Sequence, residues 1–180
     1  MEETETFFWS AFTDNYLELV KKRTRTDEDP EGRASAIATL RTGLSVTMRL
    51  FAPFVPTITD EVWSWTFADQ TGKQSIHIAD WPTAAEFDGI PAPASADSFA
   101  VACDAIAAVR KAKTDLGLGM GRPLASLLLE GDAENLRVLA GVMGDVGDGA
   151  NASGVDVKEG DADGERFAAT IEPEEQEEKS

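Results

Sequence analysis

Apolar residues recur at helical spacing along three stretches in the first half of the chain. Between Glu3 and Thr24 these residues are Phe8, Trp9, Phe12, Tyr16, Leu19 and Val20. A second stripe comprises Ile37, Leu40, Leu44, Met48 and Phe51, and a third comprises Val55, Ile58, Val62 and Trp65. Because apolar residues three and four positions apart share one face of a helix, the pattern predicts three packed helices. Their aromatic residues Trp9, Phe12, Trp63 and Trp65 are expected in the core.

Proline and glycine mark the predicted ends of these helices. The stretch TDEDPEGR breaks the pattern between the first two helices, and Pro53 ends the second. Pro56 suits the first turn of the third, where a backbone N–H has no helical partner. The segment SIHIADWP alternates briefly and then reaches an X-Pro step, which predicts an extended strap over the bundle.

The second half of the chain has a mixed pattern. Asp97 is expected to cap a fourth helix that Gly117 stops. LASLLLEG is typical of a buried strand, AENLRVLAGVM of a short helix, and SGVDVKEG and RFAATIEP of two strands paired with each other. The predicted order of this second unit is αβαββ.

Composition and proline content suggest how the chain is organised. We predict a helical domain at residues 1–91, a small α+β subdomain at 92–173 and a disordered acidic tail at 174–180, with IPAPASA as the linker. The single cysteine, Cys103, excludes an internal disulfide, and no cysteines or histidines have zinc-site spacing. No apolar run is long enough to cross a membrane and the N-terminus lacks signal-peptide character, so we expect a cytoplasmic protein.

The formal net charge of −17 opposes binding to nucleic acid, because phosphate binding draws on lysine and arginine. The cations are nevertheless bunched at two places, around residues 21–25 and around residues 110–113. Local patches of this kind can hold phosphates on an otherwise acidic surface.

Three blocks of sequence carry a resemblance to a known family. FFWSAFTDNYLELVKKR, LRTGLSVTMRLFAPFVPTITDEVWSW and SIHIADWPT, in that order, resemble the anticodon-binding domain of the class I aminoacyl-tRNA synthetases for valine, isoleucine and leucine. The forms around YLELVK and DEVWSW are most similar to the valyl enzymes. AIAAVRKAKTDLGLGMGRPLASLLL resembles the start of the small C-terminal subdomain of one group of these enzymes.

The resemblance implies a mainly α fold: a helical-bundle anticodon-binding domain followed by a small α+β subdomain. It implies a module that docks the anticodon arm of valine tRNA so that an upstream catalytic domain of the same polypeptide can attach valine. The chain has neither a HIGH-type nor a KMSKS-type motif, so we expect it to hold no catalytic site, metal or cofactor. ATP with magnesium would serve the parent enzyme. We expect the first helices of the bundle to precede Met1, and neither DNA nor a membrane to be a partner.

The resemblance also implies an RNA-contact surface. The candidates are polar and cationic residues on the predicted helices, namely Asn15, Tyr16, Lys21, Lys22, Arg23, Arg25, Arg49, Arg110, Lys111 and Lys113. Stacking and edge contacts read single-stranded loops, and cations position the phosphates. Structural alternatives remain open, since cations at a helix C-terminus offset its dipole and Arg41 and Arg49 could face either RNA or solvent.

Two other functions are compatible with the sequence. One is the same module from an isoleucyl or leucyl enzyme, which would differ in anticodon preference. The other is an acidic helical protein-interaction module with a basic partner. An RNA binder should lose affinity when its cation clusters are neutralised, whereas an acidic docking module should not.

Overall fold

The computed structural model describes residues 1–175, whose contacts divide into two units. The first unit contains Met1–Leu17 and Thr26–Pro91, and the second contains Glu18–Arg25 and, of the described residues, 92–175. Residues 18–25 therefore lie with the second unit, which a linear boundary between residues 91 and 92 does not anticipate. Residues 176–180 of the predicted tail lie outside the described part of the chain. Glu174, assigned to that tail, directly follows the last strand, and its N–H donates to the Pro123 carbonyl at 3.1 Å.

The first unit is helical. It contains α1 (Glu2–Thr6), which continues as a π-helix (Phe7–Leu17), then α3 (Pro30–Phe51), α4 (Pro56–Thr66) and α5 (Ala68–Thr71), with 3₁₀ turns at Ile76–Ile78 and Ala84–Phe87. The short α2 (Glu18–Val20), which directly follows the π-helix, belongs to the second unit. The three predicted helical stretches are confirmed, whereas the π-helical geometry of the first has no signal in the apolar pattern.

Two prolines begin helices in the first unit. Pro56 lies in the first turn of α4, as predicted. Pro30 lies in the first turn of α3, and the Asp29 carboxylate accepts a hydrogen bond from the Gly32 N–H at 2.9 Å. The break predicted at TDEDPEGR is thus wrong in its second half, because proline is favourable in a first turn. This cap requires glycine at position 32, because a Cβ there would lie 2.0 Å from the Asp29 carboxylate.

The face that α4 buries differs from the predicted one. The core of the first unit consists of Met48, Ala52, Trp63, Phe67, Ala68 and Ile76. Trp63 is 2% exposed, whereas Trp65 is 71% and Trp9 is 61% exposed. The predicted stripe of α4 is mainly exposed, and the expectation that Trp9 and Trp65 lie in the core is wrong. Both faces of α4 carry apolar residues, so spacing alone could not select the buried one.

The segment SIHIADWP after α5 was predicted to be an extended strap. Its first residues instead form the 3₁₀ turn Ile76–Ile78. The Asp60 carboxylate accepts hydrogen bonds from the Ser75 hydroxyl at 2.7 Å and the Ile76 N–H at 3.0 Å. Both bonds lower the pKa of Asp60 below its ordinary value. Ile76 is buried beside Trp63 in the core cluster. The long-range bond from α4 therefore holds Ile76–Ile78 as a 3₁₀ turn, an interaction that local alternation does not reveal.

The second unit is a three-stranded sheet with helices. Its remaining elements are α6 (Ser98–Asp115), β1 (Leu124–Gly131), α7 (Ala133–Leu139), α8 (Met143–Ala150), β2 (Val155–Glu159) and β3 (Ala168–Pro173). The strand order is β2-β1-β3, in which β1 pairs parallel with β2 and antiparallel with β3. The α+β class is confirmed. The prediction that the last two strands pair with each other is wrong, and α8 is an additional helix.

Helix α6 packs against the sheet at β3. Its buried residues include Val101, Ala105 and Val109, and β1 contributes Leu127 and Leu129, which are fully buried. Asp97 occupies the N-cap position of α6, as predicted, but its side chain makes no capping hydrogen bond. It pairs instead with Arg166 at 3.3 Å. A nearby cation thus replaces the local capping bond. Gly117 ends the helix with a φ of 65°, a conformation that favours glycine.

Candidate RNA-contact surface

The predicted cation cluster at residues 21–25 lies at the end of α2. Lys21 pairs with Glu18 at 3.1 Å, and Lys22 pairs with Asp148 of α8 at 2.6 Å. Arg23 pairs with Asp145 of α8, and the Arg23 side chain is 34% exposed. Arg25 is exposed. The cluster is therefore not uniformly solvated, because acidic residues of the second unit pair with three of its four cations.

The ion pair between Arg23 and Asp145 is structural in character. The Asp145 side chain is only 14% exposed. Burial raises the pKa of Asp145 above its ordinary value, and the Arg23 guanidinium opposes that rise. Removing Arg23 would leave a carboxylate with little water around it and no cation, which is costly. Arg23 is therefore less accessible to a phosphate than Lys22 or Arg25.

Asn15 and Tyr16 lie in the π-helix of the first unit, and both are half-buried. The Asn15 side-chain amide donates to the Ser10 carbonyl at 2.7 Å, five residues earlier. A role for these residues in stacking or reading base edges stays a prediction.

The second predicted cluster separates into surface and interior residues. Lys111 is exposed and Arg110 is half-buried. Lys113 is 2% exposed, and its ammonium donates to the carbonyls of Met120 at 2.8 Å, Arg122 at 2.8 Å and Ala150 at 2.9 Å. Burial lowers the pKa of Lys113. Since an ammonium has three donors, none is left for a phosphate, and the prediction for Lys113 is wrong.

The position of Lys113 had a signal in the sequence. It follows Val109 by four residues and Ile106 by seven, so it lies on the buried stripe of α6. The position of a lysine on that stripe predicts that its side chain is buried. The glycine-rich loop that follows the helix supplies two of the three carbonyl groups that accept from Lys113, and the end of α8 supplies the third.

Arg49 is also committed to the fold. Its guanidinium donates to both Glu86 carboxylate oxygens, at 3.0 and 2.6 Å, and to the carbonyls of Ser45 and Asp80, at 3.2 Å each. The side chain is 10% exposed. Arg49 holds the pKa of Glu86 below its ordinary range. It therefore clamps the segment around residues 80–86 onto α3, and a contact between Arg49 and RNA stays a prediction.

A polar cleft lies beside Arg49 on the same helix. It has a volume of about 360 Å³ and is lined by Arg41, Thr42, Ser45, Arg49, Phe67 and Glu86. Arg41 stands over the Phe67 ring with its guanidinium carbon 5.3 Å from the ring centroid. The signal for this cleft was a run of polar residues at helical spacing, Arg41, Ser45 and Arg49, directly beside the Leu44 and Met48 stripe. Sequence reasoning left Arg41 undecided.

Other kinds of site find no support among residues 1–175. No group of three or more histidine, cysteine, aspartate or glutamate side chains is arranged there to hold a metal ion. No described helix is both long and apolar enough to span a membrane.

The family described as the anticodon-binding domain of tRNA ligase matches residues 1–128. The chain belongs to this family. The matched region includes the whole first unit, residues 18–25 and α6, and it ends within β1.

Relatives of this anticodon-binding domain carry the name valine–tRNA ligase. The protein of Salinispora tropica is 39% identical over 175 residues, which cover 89% of this chain and 20% of the relative. That of Thermobifida fusca is 42% identical over 139 residues, covering 77% and 15%. That of Cutibacterium acnes is 38% identical over 148 residues, covering 81% and 16%. The chain thus spans about a fifth or less of the length of these relatives.

The chain carries a large surplus of acidic residues. The sequence has 33 acidic residues and 16 lysines and arginines, so 17 acids would remain even if every cation paired with one. Eight of the cations in residues 1–175 are within ion-pair distance of a carboxylate: Lys21, Lys22, Arg23, Arg33, Arg49, Arg137, Lys158 and Arg166. The surplus negative charge repels itself in the compact state.

Raising KCl from about 0.1 M to about 1 M should therefore stabilise the domain, because the Debye length falls from about 10 Å to about 3 Å. We expect the melting temperature to rise by about 2–4 °C for each 1 kcal/mol of repulsion removed. Thermal unfolding followed by circular dichroism at several KCl concentrations measures this. A melting temperature that is flat or falls with KCl would show that ion pairs outweigh the surplus charge.

Proposed function

We propose that the chain is the anticodon-arm recognition module of a valine–tRNA ligase. The single observation that carries this proposal is the match of residues 1–128 to the anticodon-binding family, among relatives named as valine ligases. The module binds valine tRNA so that an upstream catalytic domain of the same polypeptide attaches valine. That domain uses ATP with magnesium, whereas this module holds no cofactor and performs no chemistry. The parent acts in the cytoplasm, without DNA or a membrane as partner.

The basic end of α2 is the part of the second unit best suited to hold tRNA phosphates. Lys22 pairs with Asp148, but its side chain is 71% exposed. Arg25 is exposed three residues further on. Exposed ion pairs contribute little free energy, so a phosphate can displace Asp148 from Lys22. Arg110 and Lys111 on α6 are further candidates, and Lys113, Arg49 and Arg23 are set aside because of their structural contacts.

Changing Lys22 and Arg25 together to alanine should weaken tRNA binding by about tenfold and lower the salt slope by about 0.7 for each lost phosphate contact. Arg23 is retained so that Asp145 keeps its partner. The measurement is a titration of valine tRNA against the chain at two or more KCl concentrations. Arg137→Ala is the matched control, since Arg137 is 69% exposed and pairs only with Glu134 on its own helix among the ion pairs of the described residues.

The outcomes separate the alternatives. Tighter binding to tRNA with a valine anticodon than to tRNA with an isoleucine or leucine anticodon supports the valine assignment, and the reverse order supports a related ligase. Unchanged affinity and salt slope in the double variant would place the RNA surface elsewhere. A chain that binds no tRNA but binds a basic protein would favour the acidic docking module.

A further inference from the structure

We propose that the cleft on α3 between Arg41 and Arg49 binds one nucleotide of single-stranded RNA, with its phosphate at Arg41 and its base edge at Glu86. This proposal rests on the proposed function and adds a site in the first unit. The cleft volume of about 360 Å³ lies at the small end of ligand pockets, which are about 300–1,000 Å³. It therefore suits a single nucleotide unit.

Arg41 is held in a fixed orientation at this cleft. Its Nη2 donates to the Gln70 side-chain oxygen at 2.6 Å and to the Thr66 carbonyl at 3.2 Å. Its guanidinium also packs over Phe67, which is buried. Both hydrogen bonds use Nη2, so neither occupies the N–H groups of Nε or Nη1. An arginine that is oriented in advance loses less side-chain entropy when it binds a phosphate.

The rest of the lining matches the chemistry of a nucleotide. Thr42 and Ser45 lie on the same stretch of α3 and supply hydroxyl groups, which often contact phosphate and sugar in nucleic-acid complexes. The Glu86 carboxylate accepts two bonds from Arg49 and one from the Thr83 N–H, and its Oε2, which accepts only one of these, retains acceptor capacity. Carboxylates accept hydrogen bonds from the amino group of cytosine. A base with an exocyclic amino group is therefore the expected occupant.

Local charge distinguishes this cleft from the larger cavity of the second unit. The α3 cleft has two guanidiniums and one carboxylate in its lining. The cavity of about 550 Å³ between α6 and residues 162–169 has four acids, Asp104, Asp115, Asp163 and Glu165, and two cations, Lys111 and Arg166. In a chain of net charge −17, a positively charged cleft is where a polyanion is attracted. The charge balance favours RNA at the first and disfavours it at the second.

The test uses a fluorescent pentacytidine RNA and the intact chain, with affinity measured by anisotropy at two KCl concentrations. Arg41→Ala should weaken binding by about tenfold, as expected for a lost charged hydrogen bond. Arg33→Ala should stay within about twofold, because the Arg33 side chain, on the same helix, is 42% exposed and pairs with the exposed Asp27. Pentauridine should bind the unaltered chain more weakly than pentacytidine, because uracil lacks the amino group.

The proposal would be overturned if Arg41→Ala bound pentacytidine as tightly as the unaltered chain does. It would also be overturned if Arg33→Ala lost as much affinity as Arg41→Ala. Absence of pentacytidine binding would overturn it as well. If Arg41→Ala does not fold by circular dichroism, Thr42→Val serves instead and should weaken binding by about threefold or more; unchanged binding then overturns the cleft. Binding of whole valine tRNA that persists while the cleft test fails would leave the proposed function intact. Loss of both in the unaltered chain would remove both proposals.

Discussion

Replacing Lys113 with methionine should destabilise the second unit by about 1–3 kcal/mol, because backbone carbonyls in the interior lose their charged donor. The methionine retains most of the apolar stem, so the change isolates the ammonium. Its removal leaves the carbonyls of Met120, Arg122 and Ala150 without their shared donor. A buried acceptor without a partner costs about 1–3 kcal/mol. Those three carbonyls join the loop after α6 to the end of α8, so the loss affects the whole unit.

Urea unfolding followed by far-ultraviolet circular dichroism measures this cost. The matched control is Lys111→Met, an exposed position two residues away on α6, which should change stability by no more than about 0.5 kcal/mol. A loss of under about 1 kcal/mol in Lys113→Met would mean that water replaces the ammonium and that the lysine is not needed for the fold.

Replacing Trp63 with alanine should destabilise the first unit by about 3–5 kcal/mol, the usual cost of truncating a buried tryptophan. Trp63 is 2% exposed and packs against Phe67 with ring centroids 5.2 Å apart. Its indole N–H also donates to the Lys73 carbonyl at 2.8 Å. The substitution therefore removes core volume, a ring contact and the partner of a backbone carbonyl together.

Trp65→Ala is a closely matched control because it removes the same side chain two residues away. Trp65 is 71% exposed, so its loss should cost no more than about 0.5 kcal/mol. Urea midpoints of the two variants give the comparison directly. Similar losses in both would mean that Trp65 is covered in solution and that the buried face of α4 has been misassigned.

Sequence patterns were sufficient where the deciding interactions are local. Pro56 in the first turn of α4 and the positive φ of Gly117 after α6 follow from the backbone chemistry of proline and glycine. The three helical stretches and the α+β class follow from apolar periodicity. The family resemblance rested on residue identities in order, and the match to residues 1–128 confirms it.

Sequence patterns gave wrong predictions in two situations. One is a helix with apolar residues on more than one face, and the other is a cation that can lie either at the surface or in the interior. α4 carries apolar residues on more than one face, and packing against Met48 and Ile76 selected the face with Trp63. Lys113 and Arg49 are cations that sequence reasoning assigned to the surface, yet carbonyls and a carboxylate from distant segments hold them in the interior. Such partners are up to 37 residues away along the chain, beyond the reach of a local pattern.

The sequence by itself determined which elements form, the family to which the chain belongs and the surplus of acid on its surface, because these depend on residue identity and near-neighbour spacing. Only the tertiary structure decided the order of the strands, in which β1 lies between β2 and β3. The alternation of apolar and polar residues in a strand does not indicate which strand lies beside it. The tertiary structure also decided which cations are exposed and which are held in the interior. That depends on the carbonyls and carboxylates that folding brings within hydrogen-bond distance, and it separates Lys22, Arg25 and Arg41 from Lys113 and Arg49.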